Sequence, residues 1–158
     1  MPDQMNILLV EDNAIDAMFV TRAMEKVRSN GQIVHAKDGQ EALEMLTHQN
    51  EETHLPQPFF ILLDINMPRM NGHEFLQVMR GVDGISDNVV FMFTTSDNPQ
   101  DISKAYKNRA NGYIVKPEDL NGLKNVLSVL QDYWHLCEAP DGAVSDLKER
   151  CSAVQAKG

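Results

Sequence analysis

Short, continuous hydrophobic runs alternate along the chain with longer stretches in which apolar residues recur at helical spacing. Residues 5–10, MNILLV, form a run that stops at Glu11 and Asp12. A run of that length without strict alternation predicts a strand covered on both faces, as in a parallel sheet. From about 14 to 27 the positions Ala14, Ala17, Met18, Thr21, Met24 and Val27 fit a helix, with Asn13 as N-cap and Asn30-Gly31 as the stop. Residues 33–36 predict a second strand, and Asp38-Gly39 turns the chain into a helix carrying Ala42, Leu43, Met45 and Leu46. The polar connection 47–58 is long for a helix-to-strand link, which predicts an exposed excursion with an extra helical turn at its start.

The pattern is sharpest in 59–72, FFILLDINMPRMNG. Five apolar residues end at Asp64, and Asn66, Met67, Pro68 and Gly72 forbid continuation of the strand, so the carboxylate is left at its C-terminal tip. A third helix follows over 73–80 on Phe75, Leu76, Val78 and Met79. Residues 88–93 predict a fourth strand ending at Thr94, and Pro99 opens a helix to about 109 with Ile102, Ala105 and Tyr106 on one face. Residues 113–115 predict a fifth strand ending at Lys116-Pro117, and the last helix spans about 119–136. Five strand–helix alternations predict an α/β fold with a parallel sheet between two layers of helices.

Composition narrows the partners. At 158 residues one domain is expected, over 5–137, with 138–158 as a polar, partly disordered tail carrying a helical turn near 146–154. Acidic residues number 23 against 14 basic, a net charge of −9, which argues against nucleic acid and anionic membranes. Neither a signal peptide nor a membrane-spanning run is legible, and Cys137 and Cys151 lack metal-ligand spacing, so a reduced, cytoplasmic protein is expected.

Parallel strands bring all their C-terminal tips to one sheet edge. Here the tips carry Glu11 and Asp12, Asp64, Thr94, and Lys116: three carboxylates, a hydroxyl and an ammonium. Crowded carboxylates repel, and a hard divalent cation relieves that while keeping coordination positions open for phosphoryl oxygens. Lys116 supplies a second positive charge and Thr94 a donor, leaving Asp64 as a carboxylate nucleophile.

Glu11-Asp12, LLDINMPRMNG around Asp64, Thr94, Tyr113 and Lys116-Pro117 together closely resemble the receiver domain of bacterial two-component response regulators, over roughly 5–134. The resemblance implies a flavodoxin-like (βα)5 fold with strand order 2-1-3-4-5. It also implies Asp64 as phosphoacceptor, Glu11 and Asp12 as the metal-binding acidic pair, and Asn66 as the backbone carbonyl completing the shell of Mg2+, or Mn2+ in its place. Lys116 is then the phosphoryl-binding lysine, Thr94 and Tyr113 the switch pair, and the peptide from Lys116 to Pro117 is expected cis. Glu rather than Asp at position 11 departs from the commonest pair. The implied partner is a sensor histidine kinase or phosphotransfer protein, and the implied role is that of a phosphoacceptor with self-limited autophosphorylation and autodephosphorylation rather than a turnover enzyme. Within receivers, the 47–58 connection and Tyr133-Trp134 resemble the single-domain regulators partnered with bacterial phytochrome kinases.

The competing class is a Mg2+-dependent phosphatase or phosphotransferase acting on small molecules through Asp64. Such enzymes usually place a second acid two residues after the nucleophile, where this chain has Asn66. The histidines, His35, His48, His54, His73 and His135, show no ligand spacing and are expected at the surface, while Met67, Met70 and Met79 read as packing. On the last helix Leu120, Leu123, Leu127, Leu130 and Trp134 make a core stripe, and Val126, Val129, Tyr133, Leu136 and Cys137 a second one. A second apolar stripe predicts an interface, most simply a homodimer.

Overall fold

The computed structural model describes residues 4–47 and 55–138. The expected helical turns near the start of the 47–58 connection and near 146–154, Cys151, and the character of the tail beyond 138 lie outside the described residues. Five strands, β1 (Asn6–Val10), β2 (Ile33–Ala36), β3 (Phe59–Leu63), β4 (Val90–Thr94) and β5 (Gly112–Val115), alternate with five helices, α1 (Ala14–Lys26), α2 (Gly39–Leu46), α3 (Gly72–Arg80), α4 (Pro99–Lys107) and α5 (Leu120–Leu136). All strand pairs are parallel, in the order β2-β1-β3-β4-β5. The doubly wound, flavodoxin-like fold is therefore as expected.

β1, β3 and β4 are buried at every position, which is why they carry no polar alternation. Their side chains divide between two apolar layers. One packs Leu8, Ile61, Leu63 and Met92 with α2 and α3, and the other packs Ile7, Phe60, Leu62 and Phe93 with α1 and α5. In the second layer the Phe60 ring meets Trp134 edge-on at 5.1 Å, and the Trp134 indole N–H donates to the Gln4 carbonyl at 3.1 Å. That bond satisfies the indole at the bottom of the core and fixes the end of α5.

Helix starts follow the caps that the side chains provide. Asn13, Asp38, Asn71, Asn98 and Asp119 are the N-caps of the five helices, and Asn71 with Glu74 forms a reciprocal capping box. Two expectations shift. The buried face of α1 is Ala17, Val20, Ala23 and Met24, whereas Ala14, Met18 and Thr21 are exposed. The helix carries two overlapping apolar faces, with Ile15, Met18 and Phe19 on the outer one, and spacing alone does not say which meets the sheet. β4 begins at Val90 rather than 88 because Asn88 turns back to the Ile85 carbonyl at 3.1 Å. Core stripes on α2 and α5 fall as expected; on α3 Phe75, Leu76 and Met79 are buried whereas Val78 faces solvent, and Met67 is buried.

Candidate functional site

The sheet's own hydrogen-bond ladder carries the acids to their positions. Glu11 N–H donates to the Ala36 carbonyl at 3.0 Å and Asp64 N–H to the Val10 carbonyl at 3.1 Å, each one residue past its strand. Lys116 N–H likewise donates to the Thr94 carbonyl at 2.7 Å. Both acid-bearing tips and the lysine are thus held by backbone, with no loop freedom between strand and functional residue.

At this edge Glu11, Asp12 and Asp64 offer carboxylate oxygens that all lie within 4.8 Å of one another. Glu11 and Asp64 are buried, and Asp12 opens to solvent. Oxygen-only donors, two of them desolvated and one solvated, suit a hard divalent cation that retains water. The residues present therefore fit a metal of that class.

Lys116 enters the same cluster. Its ammonium donates to Glu11 Oε2 at 2.5 Å and to Asp16 Oδ2 at 3.1 Å, and it lies 3.6 Å from Asp64 Oδ2. The side chain is 9% exposed, and its ammonium sits 5.8 Å from the Phe93 ring centroid. Burial pushes the Glu11 carboxyl up to about 7, helped by the Asp64 charge and opposed by the Lys116 hydrogen bond. Burial alone draws the Lys116 ammonium down, but the Glu11 hydrogen bond, with Asp64 and Asp16, outweighs it and holds the group above the usual lysine range. The other Asp64 oxygen, Oδ1, accepts from the Ile65 amide at 2.8 Å.

The loop after Asp64 is folded tightly against it. Gly72 N–H donates to the Ile65 carbonyl at 2.8 Å, and a Cβ on Gly72 would sit 2.2 Å from the Asp64 carbonyl oxygen. Only glycine permits that approach. Asn66 is exposed in this loop, beside buried Ile65 and Met67. Arg69, at φ 65°, ties the loop to the buried Asp38 carboxylate at the α2 N-cap.

Thr94 is fully buried at the end of β4, and its hydroxyl accepts from the Ser96 amide at 3.5 Å. Tyr113 is half-buried, and its hydroxyl donates to the Ser96 carbonyl at 2.8 Å. Ser96 in turn donates to Asp101 Oδ2 at 2.6 Å, while Asp101 Oδ1 lies 3.0 Å from His73 Nε2. The two expected switch residues thus meet through Ser96, and α3 joins them through His73.

Several expectations need correction. His73 is buried, not superficial, because Asp101 gives its ring a polar partner under α4. Its Nδ1 has no hydrogen-bond partner among the described residues. His35 is half-buried, with Nε2 2.6 Å from the Glu11 carbonyl oxygen. His48 and His54 lie outside the described residues. The Lys116–Pro117 bond is not cis; among the described residues the cis bond is Gln57–Pro58. The trans form needs no compensation, being the lower-energy isomer of an X–Pro bond.

Asp16, Ser96, Asp101 and His73 were not legible as site residues. Asp16 follows the acidic pair at a spacing that places it on the first turn of α1, which was the available signal. The Ser96–Asp101–His73 set has no such signal, since its members come from three elements.

A five-stranded doubly wound sheet with an acid triad and a lysine at its carboxyl edge defines the class. The chain belongs to the response regulator receiver domain family, whose pattern matches residues 7–128. It is 35% identical over 133 residues to the probable methanogenesis regulatory protein FilR2 of Methanothrix harundinacea, covering 84% of each chain. It is 30% identical over 128 residues to the response regulator Rcp1 of Synechocystis, covering 81% of this chain and 87% of that one. Among solved structures it resembles the phosphorylated cyanobacterial phytochrome response regulator RcpA, with a TM-score of 0.78 and 28% identity over 89% of this chain and 100% of the other. The Mn2+-bound form of Rcp1 matches with a TM-score of 0.74 and 27% identity over 85% and 98%. Among the described residues no helix is long and apolar enough to cross a membrane.

Proposed function

We propose that the protein is a single-domain response regulator in which Asp64 accepts a phosphoryl group from a phosphohistidine on a sensor histidine kinase or phosphotransfer protein. The observation that carries this reading is the meeting of Glu11, Asp12 and Asp64 within 4.8 Å, with Lys116 donating into the same group. In the transfer an Asp64 carboxylate oxygen attacks phosphorus, a P–O bond forms as the P–N bond breaks, and the imidazole nitrogen keeps the bonding pair and takes up a proton. Lys116 offers its ammonium to the phosphoryl oxygens, and Thr94 offers its hydroxyl. Mg2+, or Mn2+ in its place, held by Glu11, Asp12, Asp64 and the Asn66 carbonyl, supplies charge neutralisation for the acids and the incoming phosphoryl oxygens.

Residues 5–137 form the receiver unit of this reading and 138–158 its tail, and the protein works in the cytoplasm as a phosphoacceptor rather than a turnover enzyme. Likeness to RcpA, and to the bacteriophytochrome response regulator RtBRR at 28% identity and a TM-score of 0.65, supports a phytochrome-type kinase as the donor. The signal leaves through protein contacts, not nucleic acid or membrane, and α5 supplies a homodimer surface. On that helix Val129, Tyr133 and Leu136 are exposed, Val126 and Cys137 are half-buried, and Tyr133 stays in edge contact with Phe91.

The test is intact-mass spectrometry after incubation with acetyl phosphate and Mg2+. A single phosphoryl adduct on the wild type that is absent from Asp64→Asn is expected. Full labelling of Asp64→Asn, or continuous release of phosphate from small esters, would overturn the reading.

A further inference from the structure

Lys116 has a third carboxylate neighbour that belongs to no strand tip. Asp16 stands on the first turn of α1, where its amide donates to the Asn13 side chain at 3.2 Å. Its Oδ2 accepts from the Lys116 ammonium at 3.1 Å, closer than Asp64 Oδ2 at 3.6 Å. The lysine therefore spends its two short contacts on Glu11 and Asp16, and the proposed acceptor stands just beyond hydrogen-bonding reach. Lys116 and Asp16 also line a cavity of about 310 Å³ between α1 and the start of α5, together with Phe19, Phe93, Thr95 and Pro117. The space next to the ion pair leaves room for the lysine to reorient.

We infer that Asp16 is a positioning residue that holds Lys116 on the α1 side of the cleft and competes with phosphoryl oxygens on Asp64 for its ammonium. The inference rests on the proposed transfer to Asp64. An anion arriving at Asp64 must draw Lys116 away from a partner, and Glu11 is the buried one, closed in at 2.5 Å. Asp16, 38% exposed, is the partner that water can replace when the lysine leaves. An acid in the first turn is also favoured by the helix dipole, and that alone gives Asp16 a structural reason to exist. The two roles separate experimentally, because a dipole role moves thermal stability and leaves anion binding at Asp64 unchanged.

The experiment uses the full chain as wild type, Asp16→Asn, Asp16→Glu and Asp64→Asn, titrated with beryllofluoride in Mg2+ and followed by fluorine NMR. Asp16→Asn is expected to bind the phosphoryl mimic about two- to fivefold more tightly than wild type at low ionic strength. The gain should shrink in about 0.5 M salt, and Asp16→Glu should return towards wild type. Labelling by acetyl phosphate should accelerate in the same order, as Asp64 oxygen displaces acetate from phosphorus. If Asp16→Asn proves poorly folded, Asp16→Ser carries the same comparison. Equal or weaker binding by the charge-free variants, with only the melting temperature changed, overturns the role of Asp16. Beryllofluoride binding and labelling undiminished in Asp64→Asn overturns the acceptor instead.

Discussion

Lys116 donates to Glu11 at 2.5 Å, so the lysine's nearest carboxyl group is not the one proposed to carry the phosphoryl group. The pair is shielded on both sides, the glutamate being 2% and the lysine 9% exposed at the side chain. Breaking a pair of this kind from one side leaves an uncompensated buried charge. Lys116→Met is expected to destabilise the protein by about 1–3 kcal/mol in the absence of divalent cation, with Glu11→Gln in the same chain recovering part of the loss. Urea denaturation of both single variants and the double variant measures the coupling.

Glu11 also predicts a pH dependence. Its carboxyl rises from an ordinary 4.5 to about 7 in the folded protein, so the folded state binds the extra proton between those values. The stability it contributes is complete below about 4.5 and is lost as pH rises through about 7. Metal-free wild type should therefore lose stability from pH 5 to pH 8 relative to Glu11→Gln (about 5 and 8 being the limits of the window). A flat difference between the two proteins across that window would show that Glu11 is charged throughout.

Gly72 sets the floor under Asp64. Its missing side chain admits the Asp64 carbonyl to a point where a Cβ would lie 2.2 Å away, against backbone that cannot swing aside. Gly72→Ala should cost about 2 kcal/mol or more and abolish labelling even in the fraction that folds. Chemical denaturation and mass spectrometry on the same preparation check both parts.

The Ser96 and His73 hydrogen bonds hold the Asp101 carboxyl below its usual range. A lowered acid stabilises above its unfolded value of 3.8, and that contribution is lost as pH falls through the folded value. Asp101 is partly exposed, so Asp101→Asn should change global stability by no more than about 1 kcal/mol. The larger expected effect is local: faster hydrogen exchange in the first turn of α4 and around Ser96, read by NMR, with α1 unaffected.

On α5 the two stripes should respond differently. Leu127 is fully buried, and Leu127→Ala should cost about 2–5 kcal/mol. Val129 is 66% exposed, and Val129→Glu should leave the fold intact while lowering the dimer fraction in light scattering. Unchanged mass with Val129→Glu would place the output surface elsewhere.

The layered sheet was legible because β1, β3 and β4 are buried throughout and betray themselves as short apolar runs ending in functional residues. Glu11, Asp64 and Lys116 were legible because each follows directly on its strand, with Asp12 one residue further on. The inner face of α1 is misread in part, Ala14, Met18 and Thr21 being taken with Ala17 and Met24 in place of Val20 and Ala23, because small and apolar residues lie on both faces of that helix. His73 was missed because its partner, Asp101, is 28 residues away on another helix. The Lys116–Pro117 bond was expected cis by resemblance, and no local pattern distinguishes the isomers.

The backbone bond from Asp64 to Val10 has one further consequence. Like the fixed jaw of a vice, the Asp64 backbone is held by the five-stranded sheet itself, so the proposed acceptor starts from a position that β1 and β3 set. Opposite it, Thr94 and Tyr113 keep their ladder places in β4 and β5 and are also joined through Ser96, whose amide donates to the Thr94 hydroxyl and whose carbonyl accepts from the Tyr113 hydroxyl. A phosphoryl group on Asp64, as proposed, would then be accommodated first on the Ser96 side, toward α4 and β5, leaving the inner strands as a reference against which a partner could register the change.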